Sequence, residues 1–160
     1  MGSRKTSTSS PGFTLIEMLV VMGLLVILAS LGLLVSMETY RGSSFRNERD
    51  TVVSILQKAR SQAVSNVCLG SPCPDGAPHG VHVQNDKYVI FQGTTYSSGS
   101  SLNEIIKPRI STTQITETTD IVFAQLSGSV TTPGTITVSD NTGHSSVITI
   151  NSEGQIIWTN

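Results

Sequence analysis

The chain has 160 residues, a formal net charge of −1 at pH 7 and 38% hydrophobic residues. A net charge this close to zero argues against a general affinity for nucleic acid or for anionic lipid. Outside one long apolar run, about 100 to 120 residues remain, enough for a single domain with a modest core.

The N-terminal region consists of a polar leader followed by that apolar run. Residues 1–12 carry only two charges, Arg4 and Lys5, and Phe13 to Val35 then reads FTLIEMLVVMGLLVILASLGLLV. At about 1.5 Å per residue, a helix of this length extends roughly 35 Å and can cross a bilayer core. Basic residues before the run and a long polar segment after it predict a cytoplasmic N-terminus.

The distinctive residues, GFTLIE at 12–17, stand at the start of the apolar run. An ordinary secretory signal instead places small residues after it. Glu17 within an apolar helix costs about 2.5 to 3.5 kcal/mol on insertion scales, so it needs a partner. It lies one helical turn after Phe13, on the face of the amine that cleavage after Gly12 would create. Pairing with that amine, pairing with the amine of a neighbouring subunit, and snorkelling to the headgroups all remain open.

This motif, with its basic leader and unbroken apolar run, resembles the class III signal of type IV prepilins and type II secretion pseudopilins. The resemblance implies that a prepilin peptidase cuts between Gly12 and Phe13 and methylates the amine of Phe13. It implies that Glu17 pairs with a neighbouring subunit during assembly. It further implies a single-pass protein of the bacterial inner membrane, with its head in the periplasm, that joins a periplasmic or extracellular filament. The implied partners are the peptidase, other pilin or pseudopilin subunits and an inner-membrane assembly platform.

An amphipathic helix is predicted to follow the membrane segment. Apolar residues recur on one helical face, and these are Phe45, Val52, Leu56, Ala59 and Ala63. Charged residues occupy mostly the other positions, including Glu48 and Arg49. Gly42-Ser43-Ser44 is a segment at which the helix could bend or be interrupted. The chain is therefore divided into a cleaved leader (1–12), a transmembrane and assembly helix (13–36), its amphipathic continuation (37–66) and a β-rich head (67–160).

The head is predicted to be a mainly antiparallel sheet. Alternating or apolar segments between turn residues predict strands at 80–84, 88–92, 105–110, 121–124, 135–139, 146–150 and 155–158. Because proline cannot donate a backbone hydrogen bond, Pro108 predicts that the segment 105–110 is an edge strand. The predicted fold is α+β and pilin-like, with a long N-terminal helix packed on the sheet.

Four segments of the head are similar to the H-type minor pseudopilins and related minor pilins (the GspH and FimT group). They read QKARSQAVSNVCLG, HGVHVQNDKYVIFQG, DIVFAQLSG and VITINSEGQI. The similarity implies a minor structural subunit of a type II secretion pseudopilus that supports protein export. The alternative is a minor pilin of a type IV pilus, acting in assembly initiation, at the tip or in DNA uptake.

Two cysteines, Cys68 and Cys73, lie close together in CLGSPC. In the oxidising compartment beyond the membrane they could form a disulfide, and the alternative is a pair of free thiols. Their spacing is too wide for a CxxC redox motif, and nothing nearby completes a zinc site.

No other motif predicts catalysis, a metal or a cofactor. Strand alternation places His79 and His82 on opposite faces. Asp140 and Asn141 offer too few oxygens for calcium, which takes six to eight ligands, so a hairpin turn is the better interpretation. We expect no enzyme activity. Trp158 could pack into the core or lie exposed for contact with a partner, and of these two we expect packing into the core. From Ser43 onward, seven basic residues face nine acidic ones, which argues against DNA binding.

Overall fold

The computed structural model describes residues 12–70, 75–84, 86–108, 114–117, 120–140 and 143–159, with backbone alone for 33–38 and 114–117. In these ranges, one α-helix, α1 (Leu15–Val64), precedes eight β-strands. The chain divides into two compact units, Met1–Arg41 and Gly42–Asn160, each described here by itself.

Helix α1 is continuous through Gly42-Ser43-Ser44, where the sequence allowed a bend or an interruption. One glycine costs only about 1 kcal/mol in a helix interior, so good helix formers on both sides outweigh it. The helix ends in a Schellman motif, in which Asn66 adopts a left-handed φ of 54°. The amides of Val67 and Asn66 donate to the carbonyls of Gln62 (2.9 Å) and Ala63 (3.2 Å).

The predicted apolar face of α1 is confirmed, because its five residues are all buried. The buried stripe is wider than predicted, however, and includes Glu48 (0% exposed) and Arg49 (9% exposed). Assigning these two charged residues to the solvated face was wrong. Glu48 is buried because it meets the hydroxyl of Tyr88, a residue of strand β2 (Lys87–Gln92) that is distant in sequence.

The eight strands form two antiparallel sheets of four. Sheet 1 has the order β3-β2-β1-β5 and sheet 2 the order β4-β6-β7-β8. The strands are β1 (His79–Gln84), β2 (Lys87–Gln92), β3 (Glu104–Ile106), β4 (Gln114–Glu117), β5 (Asp120–Phe123), β6 (Gly134–Ser139), β7 (Ser145–Ile150) and β8 (Ile156–Thr159). The predicted fold class is confirmed, with two sheets in place of one.

Three details differ from the prediction. Strand β3 ends at Ile106, two residues before Pro108, which has no backbone N–H to donate to a neighbouring strand. The last two residues of its predicted span, 109–110, lie outside the described residues. Strand β4 was not predicted at all. Trp158 lies on an edge strand and is 42% exposed, so the expectation that it packs into the core was wrong.

Alternate residues of both sheets meet the helix in one core. Sheet 1 contributes Val81 and Val83, and sheet 2 contributes Ile136, Ile148 and Ile150. The opposite face of sheet 1 is also covered. There the rings of His82 and Phe91 contact Tyr96, from the loop after β2, with ring centroids 3.8 and 5.7 Å apart.

Candidate functional site

The first turn of α1 is organised by a capping threonine. Thr14 Oγ1 accepts a hydrogen bond from the Glu17 amide at 3.3 Å, and the Thr14 carbonyl accepts one from the Met18 amide at 3.2 Å. Thr14 is therefore the N-cap, and Glu17 is the third helical residue, the spacing of a capping box. A carboxylate at this end is favoured by the helix dipole.

The residues on either side of the predicted cleavage bond are both accessible. Phe13 is 78% exposed, and a Cβ added to Gly12 would meet nothing within 4 Å. Gly12, Phe13 and Glu17 thus lie together at the start of one helix. The structure places Gly12 and Phe13 just before the helix and Glu17 in its first turn. It adds Thr14, which the sequence analysis did not single out, although the T-x-x-E spacing was the available signal.

The helix that follows has no protein cover in its own unit. The window Leu15–Gly32 has a mean hydropathy of 2.5, and none of it is buried. Its length and composition are sufficient to cross a membrane. Such a surface requires either lipid or other helices around it.

A buried carboxylate joins the helix to sheet 1. The Tyr88 hydroxyl donates to Glu48 Oε1 at 3.0 Å, and both residues are fully buried. Burial, followed by the nearby carboxylate, raises the pKa of Tyr88 well above its usual value, so the hydroxyl keeps its proton. This pair joins the helix to β2.

The histidines serve structural contacts. His79 and His82 lie on opposite faces of β1, as predicted: His79 is in the core, and His82 Nδ1 lies 2.5 Å from Asp120 Oδ1. His79 Nδ1 lies 3.1 Å from the Ala77 carbonyl oxygen. Burial lowers the pKa of His79. No group of three or more His, Cys, Asp or Glu residues able to hold a metal occurs within the described ranges.

Two predicted features fall partly on residues that the structure leaves out. Cys68 follows the helix end and is half-buried, whereas Cys73 lies outside the described residues, so their pairing stays a prediction. Asn141 also lies outside them. The amide of His144 donates to Asp140 Oδ1 at 2.9 Å, so Asp140 is bound within its own hairpin turn.

Comparisons with known proteins match both parts of the chain. The family model described as Type II transport protein GspH matches residues 48–154, and the prokaryotic N-terminal methylation motif matches residues 8–33. No curated protein matches the chain.

The crystal structure of the type IV minor pilin FimU from Pseudomonas aeruginosa is similar, with a TM-score of 0.55 and 18% sequence identity. The alignment covers 72% of this chain and 92% of FimU. At this identity the likeness shows a shared fold alone. The GspH model covers more than half of the chain, and the methylation motif spans Gly12, Phe13 and Glu17. The chain is therefore a prepilin-type protein with the pilin fold, and it belongs to the GspH family.

Proposed function

We propose that this protein is a minor pseudopilin-type structural subunit of a type II secretion pseudopilus. The observation that carries the proposal is the start of α1. Gly12 and Phe13 precede the helix, Glu17 lies in its capped first turn, and the apolar part of the helix has no protein cover in its own unit. The match to the family model described as Type II transport protein GspH supports the secretion role. The alternative is a minor pilin of a type IV pilus, and the fold shared with FimU is its support.

The apolar helix acts first as an anchor and then as the packing element of the filament. A prepilin peptidase cuts after Gly12 and methylates the amine of Phe13, so the helix stays on the mature chain. The protein then crosses the inner membrane once, with its head in the periplasm. An assembly platform in that membrane transfers it into the filament beside other pilin-fold subunits.

Glu17 supplies the assembly register. Its carboxylate costs about 2.5 to 3.5 kcal/mol in lipid, and this cost is offset when it meets a positively charged amine. The chain end at Phe13 of a neighbouring subunit carries such an amine. Because the Thr14 cap holds Glu17 at a fixed place in the first turn, the pairing selects one axial position for the incoming helix.

N-terminal mass spectrometry tests the processing step. We expect coexpression with a prepilin peptidase to give a chain that begins at methylated Phe13. Gly12→Leu should block cleavage, because the peptidase must reach the bond beside this residue. Gly23→Leu is the matched control, since its site is equally open and lies within the helix. A native protein that retains Met1, or that lacks the apolar helix, contradicts the proposal.

Deletion in the native host separates the two filament systems. A secretion subunit predicts loss of protein export with surface pili retained. Loss of pili with export intact would favour the minor-pilin alternative.

The Cys68–Cys73 disulfide is proposed as a clamp on the loop after the helix. Mass spectrometry of the unreduced peptide that contains both residues should show the loss of two hydrogen atoms. Two alkylatable thiols in protein taken from the periplasm would contradict it.

A further inference from the structure

A groove that contains an arginine lies beside the last turns of α1. It encloses about 430 Å³ between the helix and Ile156, the first residue of β8, and is called here the groove beside β8. Apart from the arginine, the helix lines it with uncharged side chains; the set is Gln57, Arg60, Ser61, Val64 and Ser65. Among the described residues that line it there is no carboxylate. The groove therefore offers several hydrogen-bond donors and a positive charge, with no negative side chain of its own.

Two backbone carbonyls position the guanidinium of Arg60. Its Nε donates to the Gly128 carbonyl and its Nη2 to the Glu153 carbonyl, each at 3.4 Å. Both distances are longer than those of an ideal N–H···O bond, so the two contacts orient the guanidinium but bind it weakly. A guanidinium carries five N–H donors, and these contacts use two of them. The other donors can serve a ligand in the groove that Arg60 lines.

Two glycines leave the space that the side chain of Arg60 occupies. A Cβ added to Gly128 would lie 3.2 Å from Arg60 Cγ and 2.6 Å from Val64 Cγ2. A Cβ added to Gly154 would lie 3.0 Å from Arg60 Nε. Both glycines have a positive φ, 66° and 72°, which glycine adopts without steric cost. The backbone of the two turns therefore fits around the arginine and fixes the position of its charge.

Arg60 has no carboxylate partner in the part of the chain that the structure describes. The carboxylate of the adjacent Glu153 accepts instead from Ser152 Oγ at 2.9 Å. Lys58, on the same helix, differs in this respect, because its Nζ pairs with Glu104 Oε1 at 2.5 Å. Hydrogen bonds between a guanidinium and a carboxylate are about twice as strong as neutral ones. A half-buried arginine without such a partner therefore favours an acidic ligand.

The negative end of the helix dipole is partly neutralised near this groove. Carbonyls in the last turn of a helix carry partial negative charge, which disfavours a bound anion. In α1 the Ala63 carbonyl accepts from the amides of Asn66 at 3.2 Å and of Leu126 at 2.9 Å. These bonds reduce the exposed partial charge, so the full positive charge of Arg60 dominates the groove.

We propose that the groove beside β8 binds an acidic side chain of a neighbouring filament subunit of a different kind. The carboxylate lies on Arg60, and the aliphatic part of the bound segment contacts Val64 and Ile156. The inference rests on the proposed function, which puts other pilin-fold subunits beside this chain. A carboxylate fits better than a nucleic acid, because phosphate binding uses several cations together and Arg60 is the one cation among the described residues of the groove.

Photocross-linking tests the contact in cells that assemble the native filament. A photoreactive residue replaces Ser61, which lines the groove and is exposed, in the full-length chain. We expect a product with another pilin-fold subunit, in which the cross-linked segment contains Asp or Glu. Ser54 is the control position, because it is exposed on the same helix but outside the groove, and it should not give that product. No product at Ser61, a product of two copies of this chain, or a segment without an acidic residue overturns the proposal.

A carboxylate placed inside the groove provides an independent measurement. Gln57 lies three residues before Arg60, so Gln57→Glu pairs with the arginine along the helix and competes with the incoming carboxylate. We expect this variant to lower the yield of the Ser61 product several-fold while its thermal unfolding stays unchanged. Ser54→Glu adds the same charge outside the groove and should leave the yield as it was. Equal yields in the two variants would count against the site.

Charge reversal separates binding from folding. Arg60→Glu should remove the product, and a lysine at the acidic residue mapped on the partner should restore it. Restoration cannot come from a repaired fold, because Arg60→Glu still lacks the two carbonyl contacts. Failure to restore the product contradicts the proposed pair. A processed chain that enters filaments without the product would refute the groove alone, whereas an unprocessed chain, or one absent from filaments, would refute the proposed function.

Discussion

At the scale of single residues, Glu17 has a local role that the structure shows, and we propose that it has a second role in assembly. Its backbone amide is capped by Thr14, and its carboxylate stands at the positive end of the helix dipole. Neither feature requires a second subunit. The carboxylate is thus stabilised before assembly, and the proposed assembly would replace a partial positive charge with the full charge of an amine.

Replacing Glu17 separates insertion from assembly. We expect Glu17→Ala to enter the membrane and to be cleaved normally, because removing a carboxylate from an apolar helix lowers the cost of insertion. Its incorporation into filaments should fall several-fold, because the amine of the neighbour loses its partner. Quantification in membrane and filament fractions checks both statements. Met18→Ala, one residue further along the helix, is the control, and normal incorporation of Glu17→Ala would argue against the assigned role.

The Tyr88 hydroxyl stabilises the head through a buried carboxylate. Tyr88→Phe leaves Glu48 without this donor while filling the same space. We expect a loss of about 1 to 3 kcal/mol of unfolding free energy, the cost of a missing hydrogen bond to a buried charged group. Urea unfolding of the full-length protein in detergent measures it. Tyr96→Phe retains the ring stacked on His82 and should cost less; equal losses would contradict this explanation.

His79 predicts a dependence of stability on pH. Burial lowers its pKa below 6.5 in the folded state, so the unfolded chain binds this proton more readily. The contribution is fully present above pH 6.5, and it is lost as the pH falls from there through the lower folded value. Unfolding of the full-length protein between mildly acidic and neutral pH should show this slope. His79→Asn should flatten it, and an unchanged slope would show that other groups are responsible.

At the scale of elements, features that depend on local sequence patterns could be predicted better than features that depend on contacts between residues distant in sequence. The apolar spacing from Phe45 to Ala63 predicted the buried face of α1, because a helix fixes which residues share a face. The burial of Glu48 could not be predicted, since it depends on Tyr88, forty residues away. Strand β4 was missed because four residues carry little periodicity. The exposure of Trp158 follows from the order of strands in the sheet, which the sequence does not encode locally.

Gly128 and Gly154 lie close to each other beside the C-terminal part of α1. Gly154 has a φ of +72°, and a Cβ there would overlap the Gly128 carbonyl oxygen. We expect Gly154→Ala to cost about 2 kcal/mol or more, from left-handed strain together with this overlap. Gly143→Ala is the matched control, because its φ is also positive but the space around it is open. If thermal unfolding shows the same loss of stability in both variants, overlap with the Gly128 carbonyl oxygen is not the cause.

At the scale of the whole molecule, the two compact units differ in how far their roles could be predicted. Gly12, Phe13 and Glu17 lie within six residues, so one short pattern predicted the whole N-terminal site. The surfaces of the head are assembled from elements far apart in sequence. The groove beside β8 therefore became visible only in the fold.

The charge of the whole molecule argues against the DNA-uptake role. Binding to phosphates releases counterions, so the affinity of a basic protein falls steeply as salt is raised. From Ser43 onward, acidic residues outnumber basic ones, and no lysine or arginine follows Arg109. We expect the full-length protein in detergent to give no salt-sensitive shift of duplex DNA. A shift that weakens with salt and disappears in Arg60→Gln would place the head among nucleic-acid binders, because Arg60 borders the groove beside β8. The absence of a shift at low salt, where phosphate contacts are strongest, would agree with the expectation that the head does not bind DNA.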